Sequence, residues 1–270
     1  MEYKDYLLEK NMPLFNCSGC GNGIVLRAMF QAYAELGLRK EDIVHVTGIG
    51  CWGKSEDYFD TCTLHCTHGR ALGFATGVAL ANPNLSVIAV MGDGDGATIG
   101  GNHLIHAARR NVNVTAIILN NLNYGMTGGQ YSGTTPENSI TATSPYGHIE
   151  QGFHISELVG AAGATYVARE VVDKPMMLKK YIKEGVQNKG FSLIEVISTC
   201  PTHFGRRNKM ADPVKLLQWI RSKCVSVQDA KGMSEEALED KLITGVIVNR
   251  PKLDYWTKYD AIIERLSKEG

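Results

Sequence analysis

Two acidic residues, Asp93 and Asp95, alternate with the glycines Gly92 and Gly94 directly after an apolar run. Glycines at the end of a strand let backbone amides approach a ligand closely, so the loop is a candidate phosphate site. Two carboxylates would repel a bare diphosphate. However, carboxylate and amide oxygens are good ligands of Mg²⁺, and a metal held by them binds diphosphate oxygens in turn. The loop therefore predicts a metal-diphosphate site.

Two neighbouring strands are expected to position this site. Residues 87–91 and 114–119 are continuous apolar runs, typical of strands buried on both faces of a parallel sheet. The intervening segment 98–110 has a helical pattern, and one helical crossover brings both strand ends to the same edge of a sheet. Asp93 and Asn121 are thus predicted to lie together.

The same loop also fits a dinucleotide-binding fingerprint, because Gly92, Gly94 and Ala97 have the required spacing. An NAD-binding domain would place an acidic residue near the end of the following strand, where it binds the ribose. The chain has asparagines there, which disfavours this alternative.

Four cysteines form a second group. Cys17 and Cys20 make a C-x-x-C pair before a helix, and Cys51 and Cys200 each follow a predicted strand. Convergence of the four would give sulfur ligation of either a 4Fe-4S cluster or a structural zinc ion, with unrelated buried thiols as the third possibility. Cys62, His65, Cys66 and His68 form a second, looser candidate metal group, although the C-x-x-x-C spacing fits packing thiols better.

Composition excludes several classes of protein. The 270 residues carry 28 basic and 28 acidic side chains and no basic block, which disfavours a nucleic-acid partner. The amino terminus lacks the apolar core of a signal peptide, and no run of about 18 apolar residues occurs, so no membrane span is expected. We expect a cytoplasmic protein, in which cysteines are more often ligands or free thiols than disulfides.

Strands and helices alternate, which predicts an α/β fold with a mostly parallel sheet and helices on both faces. Residues 55–68 have no clear pattern, and the long polar loop that follows Asn121 is of the kind that is functional or contacts a partner. The charged carboxy-terminal part predicts helices near 213–223, 234–241 and 260–268. We expect a cofactor domain at 1–204 and a packed extension at 205–270.

With these residues assembled, the chain resembles the β subunits of 2-oxoacid:ferredoxin oxidoreductases, most closely the 2-oxoglutarate type. The resemblance spans nearly the whole chain and is strongest at 16–135 and 194–204. Its motifs are Cys17-Ser18-Gly19-Cys20-Gly21, Gly48-Ile49-Gly50-Cys51, Thr67-His68-Gly69-Arg70, Gly92-Asp93-Gly94-Asp95, Tyr124-Gly125-Met126-Thr127-Gly128-Gly129-Gln130 and Cys200-Pro201-Thr202.

The resemblance implies a thiamine diphosphate-binding fold. Asp93, the Asn121 side chain and the Asn123 carbonyl would bind Mg²⁺. The 4Fe-4S ligands would be Cys17, Cys20, Cys51 and Cys200, and further cofactor contacts would come from Gly50, Cys51, His68, Gly92, Gly94, Asp95 and Gly125. The glutamate that activates the cofactor would lie on a partner α subunit, in an αβ heterodimer or a dimer of heterodimers.

The implied activity is oxidative decarboxylation of a 2-oxoacid, with coenzyme A as acyl acceptor and ferredoxin as electron acceptor. The favoured substrate is 2-oxoglutarate, giving succinyl-CoA; 2-oxoisovalerate and pyruvate are alternatives. Lys54 would pair with a substrate carboxylate, although it also fits a solvated surface lysine, and Met126 would lie near the reacting group or pack in the core. Residues 52–66 depart from the family sequence, which affects substrate identity most. A zinc-stabilised interaction subunit is the non-enzymatic alternative.

Overall fold

An eight-stranded sheet is the frame that positions the site residues. The computed structural model describes residues 1–269. The strands are β1 Ile43–Thr47, β2 Cys62–His65, β3 Ser86–Gly92, β4 Thr115–Asn120, β5 Tyr166–Val171, β6 Ser192–Ile197, β7 Cys224–Ser226 and β8 Leu242–Asn249. The helices are α1 Asn22–Leu36, α2 Ala71–Ala81, α3 Gly101–Arg110, α4 Ile155–Ala162, α5 Pro175–Gln187, α6 Pro213–Ser222, α7 Val227–Ala230, α8 Glu235–Leu238 and α9 Tyr255–Glu269.

The strand order is β2-β1-β3-β4-β6-β5-β8-β7. All neighbours from β2 to β5 pair in parallel. β8 pairs antiparallel with β5 and β7 pairs parallel with β8, so these two strands run opposite to the other six. The predicted α/β fold with a mostly parallel sheet is therefore confirmed. Residues 55–68 are more regular than expected, because they contain β2 and part of a short helix, Gly53–Tyr58. Every residue of β2 is exposed, so its sequence carries no apolar alternation.

The apolar runs of β3 and β4 are buried on both faces, as their sequences predict. Ile88 and Val90 belong to the core on one face with residues of α1 and α5, while Ala89 and Met91 face the core formed with α2, α3 and α4. The expected helix 98–110 begins as a π-helical turn, Gly94–Ile99, before α3. The loop after β3 therefore leads straight into a helix.

The carboxy-terminal part contains two strands, β7 and β8, that the sequence analysis did not predict. The expected helix at 213–223 is α6, whereas that at 234–241 is reduced to the four residues of α8, and that at 260–268 lies within the longer α9. β8 joins the main sheet beside β5. The domain division after residue 204 stays a prediction. No helix formed within residues 1–269 is both long and apolar enough to cross a membrane.

Candidate functional site

The loops after β1, β3 and β4 line one cavity at the carboxyl edge of the sheet. It brings together Met126 and all of the predicted cofactor residues, namely Gly50, Cys51, His68, Gly92, Asp93, Gly94, Asp95, Asn121, Asn123 and Gly125. This edge of a parallel sheet is where ligands bind in open α/β folds. The order of strands therefore assembles the site from residues distant in sequence.

Oxygen atoms crowd at one point of this cavity. In one orientation of the Asn121 side-chain amide, its oxygen lies 2.7 Å from the Asn123 carbonyl oxygen and 3.2 Å from Asp93 Oδ1. In the swapped orientation the amide nitrogen takes that position and donates hydrogen bonds to both oxygens. In the first orientation three oxygens face one another, and a cation is needed to hold them together. The donor set is thus one that fits Mg²⁺.

The Asp93 carboxylate is buried and held by two hydroxyls. Ser132 Oγ lies 2.5 Å and Thr134 Oγ1 2.7 Å from Asp93 Oδ2, both within hydrogen-bonding distance. Burial raises the pKa of Asp93 to about 6, although these hydrogen bonds act in the opposite direction. The hydroxyls occupy Oδ2 and leave Oδ1 directed towards Asn121, so the geometry presents one carboxylate oxygen to a ligand.

A buried polar network supports this arrangement from behind. The Thr134 hydroxyl also lies 3.0 Å from Asn120 Oδ1, and Asn120 Nδ2 donates to Glu195 Oε1 over 2.9 Å. Arg169, which is fully buried, donates from Nε to the other Glu195 oxygen over 2.8 Å. Because buried charges are costly unless paired, Arg169 and Glu195 stay together in the interior. The hydrogen bond from Asn120 to Glu195 then fixes the Asn120 side chain in one orientation.

Asp95 has a different role from Asp93. Its Oδ1 accepts hydrogen bonds from His68 Nδ1 over 2.6 Å and from the Gly69 amide over 2.7 Å, while Oδ2 is buried without a partner. A Cβ atom at Gly48 would lie 1.7 Å from that oxygen, so only glycine fits there. Asp95 therefore orients His68, which lines the cavity. The Asp95 carboxylate can take this position only because residue 48, a glycine, has no side chain.

All four predicted cluster cysteines line a second cavity of about 210 Å³: Cys17, Cys20, Cys51 and Cys200. A Cβ atom at Gly125 would lie 3.6 Å from the sulfur atoms of both Cys51 and Cys200. Burial, followed by the charges of Cys200, Cys20 and Cys17, raises the pKa of Cys51 to about 11. The thiols therefore interact electrostatically, and a bound metal would reverse that shift.

The thiols are not gathered around a single point. Within residues 1–269, no group of three or more His, Cys, Asp or Glu side chains is arranged to hold one metal ion. A structural zinc site is closed, with four sulfur atoms about 2.3 Å from the ion. The looser group that includes Cys62 and Cys66 forms no such site either; Cys62 is exposed and Cys66 is buried.

Lys54 does not line either cavity. Its Nζ lies 3.0 Å from Asp57 Oδ2 on the surface, and this partner raises the pKa of Lys54. Met126, by contrast, lines both cavities and is half-exposed. The structure thus brings Met126, but not Lys54, to the other predicted residues.

Ser132 and Thr134 were missed by the sequence analysis. They lie 39 and 41 residues beyond Asp93 in the long polar loop, whose composition suggests a functional segment without identifying these two hydroxyls. Asn22 was also missed; its side chain lines both cavities, and Nδ2 lies 3.4 Å from the Cys51 carbonyl oxygen.

Comparisons with known proteins agree with this geometry. Residues 48–196 match the thiamine pyrophosphate enzyme family, C-terminal TPP binding domain. The chain is 46% identical to 2-oxoglutarate synthase subunit KorB of Methanothermobacter thermautotrophicus over 98% of this chain and 93% of that one. Identity to KorB of Archaeoglobus fulgidus is 51%, over 80% of each chain. A 2-oxoglutarate:ferredoxin oxidoreductase structure from Magnetococcus marinus, with 2-oxoglutarate, coenzyme A and succinyl-CoA bound, superposes with a TM-score of 0.88 at 33% identity, covering 99% of this chain and 91% of that one.

Proposed function

The chain belongs to the thiamine diphosphate-dependent 2-oxoacid:ferredoxin oxidoreductases, as a β subunit of the 2-oxoglutarate synthase type, and from that premise we propose how its residues divide the work. It is an oxidoreductase subunit that acts with an α-subunit partner and thiamine diphosphate. The proposed reaction converts 2-oxoglutarate and coenzyme A to succinyl-CoA and CO₂ while reducing ferredoxin. We propose an αβ heterodimer or a dimer of heterodimers as the working assembly.

The diphosphate of the cofactor is proposed to bind at the loop after β3 through Mg²⁺. Asp93 Oδ1, the Asn121 side-chain oxygen and the Asn123 carbonyl would be the protein ligands, supported by the crowding of these oxygens. Gly92 and Gly94 permit close backbone approach. A Cβ atom at Gly94 would lie 2.2 Å from the Tyr124 ring, which shows how tightly this wall is packed.

The four cysteines are proposed to hold a 4Fe-4S cluster. In such a cluster each thiolate binds a different iron, so the sulfur atoms lie farther apart than they do around one zinc ion. The 210 Å³ cavity, which all four cysteines line, supports the larger group. The zinc-stabilised alternative lacks this geometric support.

One observation carries the proposal: the two cavities share a wall. Residues common to both are Asn22, Cys51, Asn121, Gly125 and Met126. A cluster in the second cavity would therefore be the immediate neighbour of a cofactor in the first. This adjacency is what an oxidative decarboxylase with a one-electron acceptor requires, and neither an NAD-binding domain nor a non-redox decarboxylase has a use for it.

When bound, thiamine diphosphate supplies the electron sink for decarboxylation, and the chain supplies position and electrostatics. Asp93 fixes the metal end of the site, and His68, oriented by Asp95, presents its free ring nitrogen to the cavity. Met126 provides a flexible apolar wall next to the substrate. Lys54 remains the proposed partner of the distal substrate carboxylate, for which its side chain has to leave Asp57.

The test is coenzyme A-dependent reduction of methyl viologen by the anaerobically co-purified α subunit and this chain. We expect a higher kcat/KM for 2-oxoglutarate than for 2-oxoisovalerate or pyruvate. A higher kcat/KM for 2-oxoisovalerate or pyruvate would refute the proposed substrate. Failure to reduce the dye with any 2-oxoacid, in a preparation that contains iron and thiamine diphosphate, would overturn the reaction.

A further inference from the structure

Basic side chains are concentrated in the segment that follows the last cluster cysteine. Between residues 198 and 228 the sequence has six lysines or arginines and one acidic residue, Asp212, although the whole chain has a formal net charge of zero. Five of these cations are exposed. Arg221 is paired with Asp173, and the other four form no ion pair with any described residue. We name them the basic rim: Arg206, Arg207, Lys209 and Lys215.

Two members of the basic rim, Arg206 and Arg207, lie beside the cysteine cavity. His203 lines that cavity, and the positive charges of Arg207 and Arg206 help to lower its pKa, after burial. Arg207 Nη2 also lies 3.4 Å from the Gly128 carbonyl oxygen, in the loop that carries Met126. The two arginines are therefore close to the cavity without lining it.

The C-x-x-C loop packs against the same segment. A Cβ atom at Gly19 would lie 2.3 Å from Pro213 Cγ and 3.4 Å from Pro201 Cγ, so the loop packs against the beginning of this segment and the first residue of α6. Cys17 is exposed, and Phe15, which also lines the cavity, is 46% exposed. The cysteine cavity thus opens to solvent on a surface bordered by unpaired positive charge.

We propose that the basic rim is the docking surface for an acidic one-electron carrier protein of the ferredoxin type. The inference rests on the proposed function, because the electrons would leave through a cluster held by the four cysteines. In each docking event one electron passes from the reduced cluster to the carrier, so the cluster is oxidised and the carrier reduced, and two such events follow each substrate molecule oxidised. Complementary charge raises the rate of encounter and fixes orientation.

A small anion such as coenzyme A is a less suitable ligand for these cations. Neither cavity is lined by Arg206, Arg207, Lys209 or Lys215, whereas small-molecule sites are concave and enclose their ligand. Exposed side chains around a cavity mouth instead match the polar rim of a protein interface. The surface therefore favours an acidic protein over a phosphorylated cofactor.

The experiment measures binding and turnover with charge-reversed complexes. R206E/R207E is compared with K180E/K189E, which makes the same charge change on or just after α5, away from the cysteine cavity. Binding of a fluorescently labelled acidic ferredoxin to the complex of this chain with its α subunit is followed by fluorescence anisotropy, which requires no turnover. We expect Kd to rise about tenfold in R206E/R207E at low salt, with a smaller difference at high salt, and to stay unchanged in K180E/K189E.

Turnover separates the possible outcomes. In R206E/R207E, kcat/KM for ferredoxin should fall by a similar factor, while methyl viologen reduction and the KM for coenzyme A stay unchanged. Equal ferredoxin affinity in both variants would overturn the docking site, and so would a raised KM for coenzyme A with normal ferredoxin binding. Absence of methyl viologen reduction by the unaltered complex would refute the proposed function instead, and the anisotropy comparison would still decide the docking site.

Discussion

Replacing Thr134 with valine should weaken Mg²⁺ binding while preserving the shape of the site. The Thr134 hydroxyl lies 2.7 Å from Asp93 Oδ2, and both side chains are buried. Valine fills nearly the same volume but donates no hydrogen bond. Without that bond, the proposed metal ligand is less well held in its charged form and in the direction that leaves Oδ1 free.

The structure sets the size of the effect. A hydrogen bond to a charged group contributes about 1.5–3 kcal/mol. Ser132 Oγ remains 2.5 Å from the same carboxylate oxygen, so the lower end of that range applies. About 1.5 kcal/mol corresponds to an affinity about tenfold weaker.

The assay is calorimetric titration of Mg²⁺ into the α-subunit complex at saturating thiamine diphosphate. T141V is the matched control, because Thr141 is also a buried threonine of the long loop, but its hydroxyl lies 2.6 Å from Ser144 Oγ and does not contact Asp93. T134S should restore most of the affinity. Equal losses in T134V and T141V would show that loop order alone matters, and an unchanged affinity in T134V would refute the role of the hydroxyl.

Three further predictions concern other parts of the molecule. Burial lowers the pKa of His45 to about 3, so the unfolded chain takes up a proton near pH 6.5 and the folded chain does not. The free energy of unfolding should therefore fall by about 1.4 kcal/mol for each pH unit between pH 6.5 and about 3. Urea titrations at several pH values should show that the free energy of unfolding depends less steeply on pH in H45Q. C51S should lose most of the iron of the complex, measured by metal analysis, whereas C62S should keep it. K54A should raise the KM for 2-oxoglutarate about tenfold with kcat unchanged if Lys54 binds the substrate carboxylate, and an unchanged KM would leave Lys54 as the surface partner of Asp57.

Local sequence signals were sufficient wherever a strong periodic pattern coincided with burial. The apolar run of β3 is buried on both faces, and the residues after it lie at the sheet edge that the crossover argument predicts. The convergence of the four cysteines on one cavity also follows from their positions, because Cys51 and Cys200 come after strands and Cys17 and Cys20 precede a helix. In these cases the same residues determine both the local element and its place in the sheet.

Other features depend on contacts that no local pattern encodes. β2 is an exposed edge strand of four residues, so nothing in its sequence separates it from a loop. Ser132 and Thr134 reach Asp93 only because the long loop folds back over the carboxyl edge, and polar loop residues all look alike in sequence. β8 has an apolar, β-branched sequence that the sequence analysis overlooked, but its antiparallel pairing with β5 depends on contacts distant in sequence.

The most direct test of the account is anaerobic electron paramagnetic resonance of the isolated α-subunit complex, mixed with 2-oxoglutarate and coenzyme A in the absence of any acceptor. If this chain holds a 4Fe-4S cluster next to the thiamine diphosphate site, 2-oxoglutarate should reduce it and produce the spectrum of a reduced 4Fe-4S cluster within one turnover, with no such signal from C200S. A complex that contains thiamine diphosphate and zinc but no iron, or an iron cluster that 2-oxoglutarate leaves oxidised, would contradict the account.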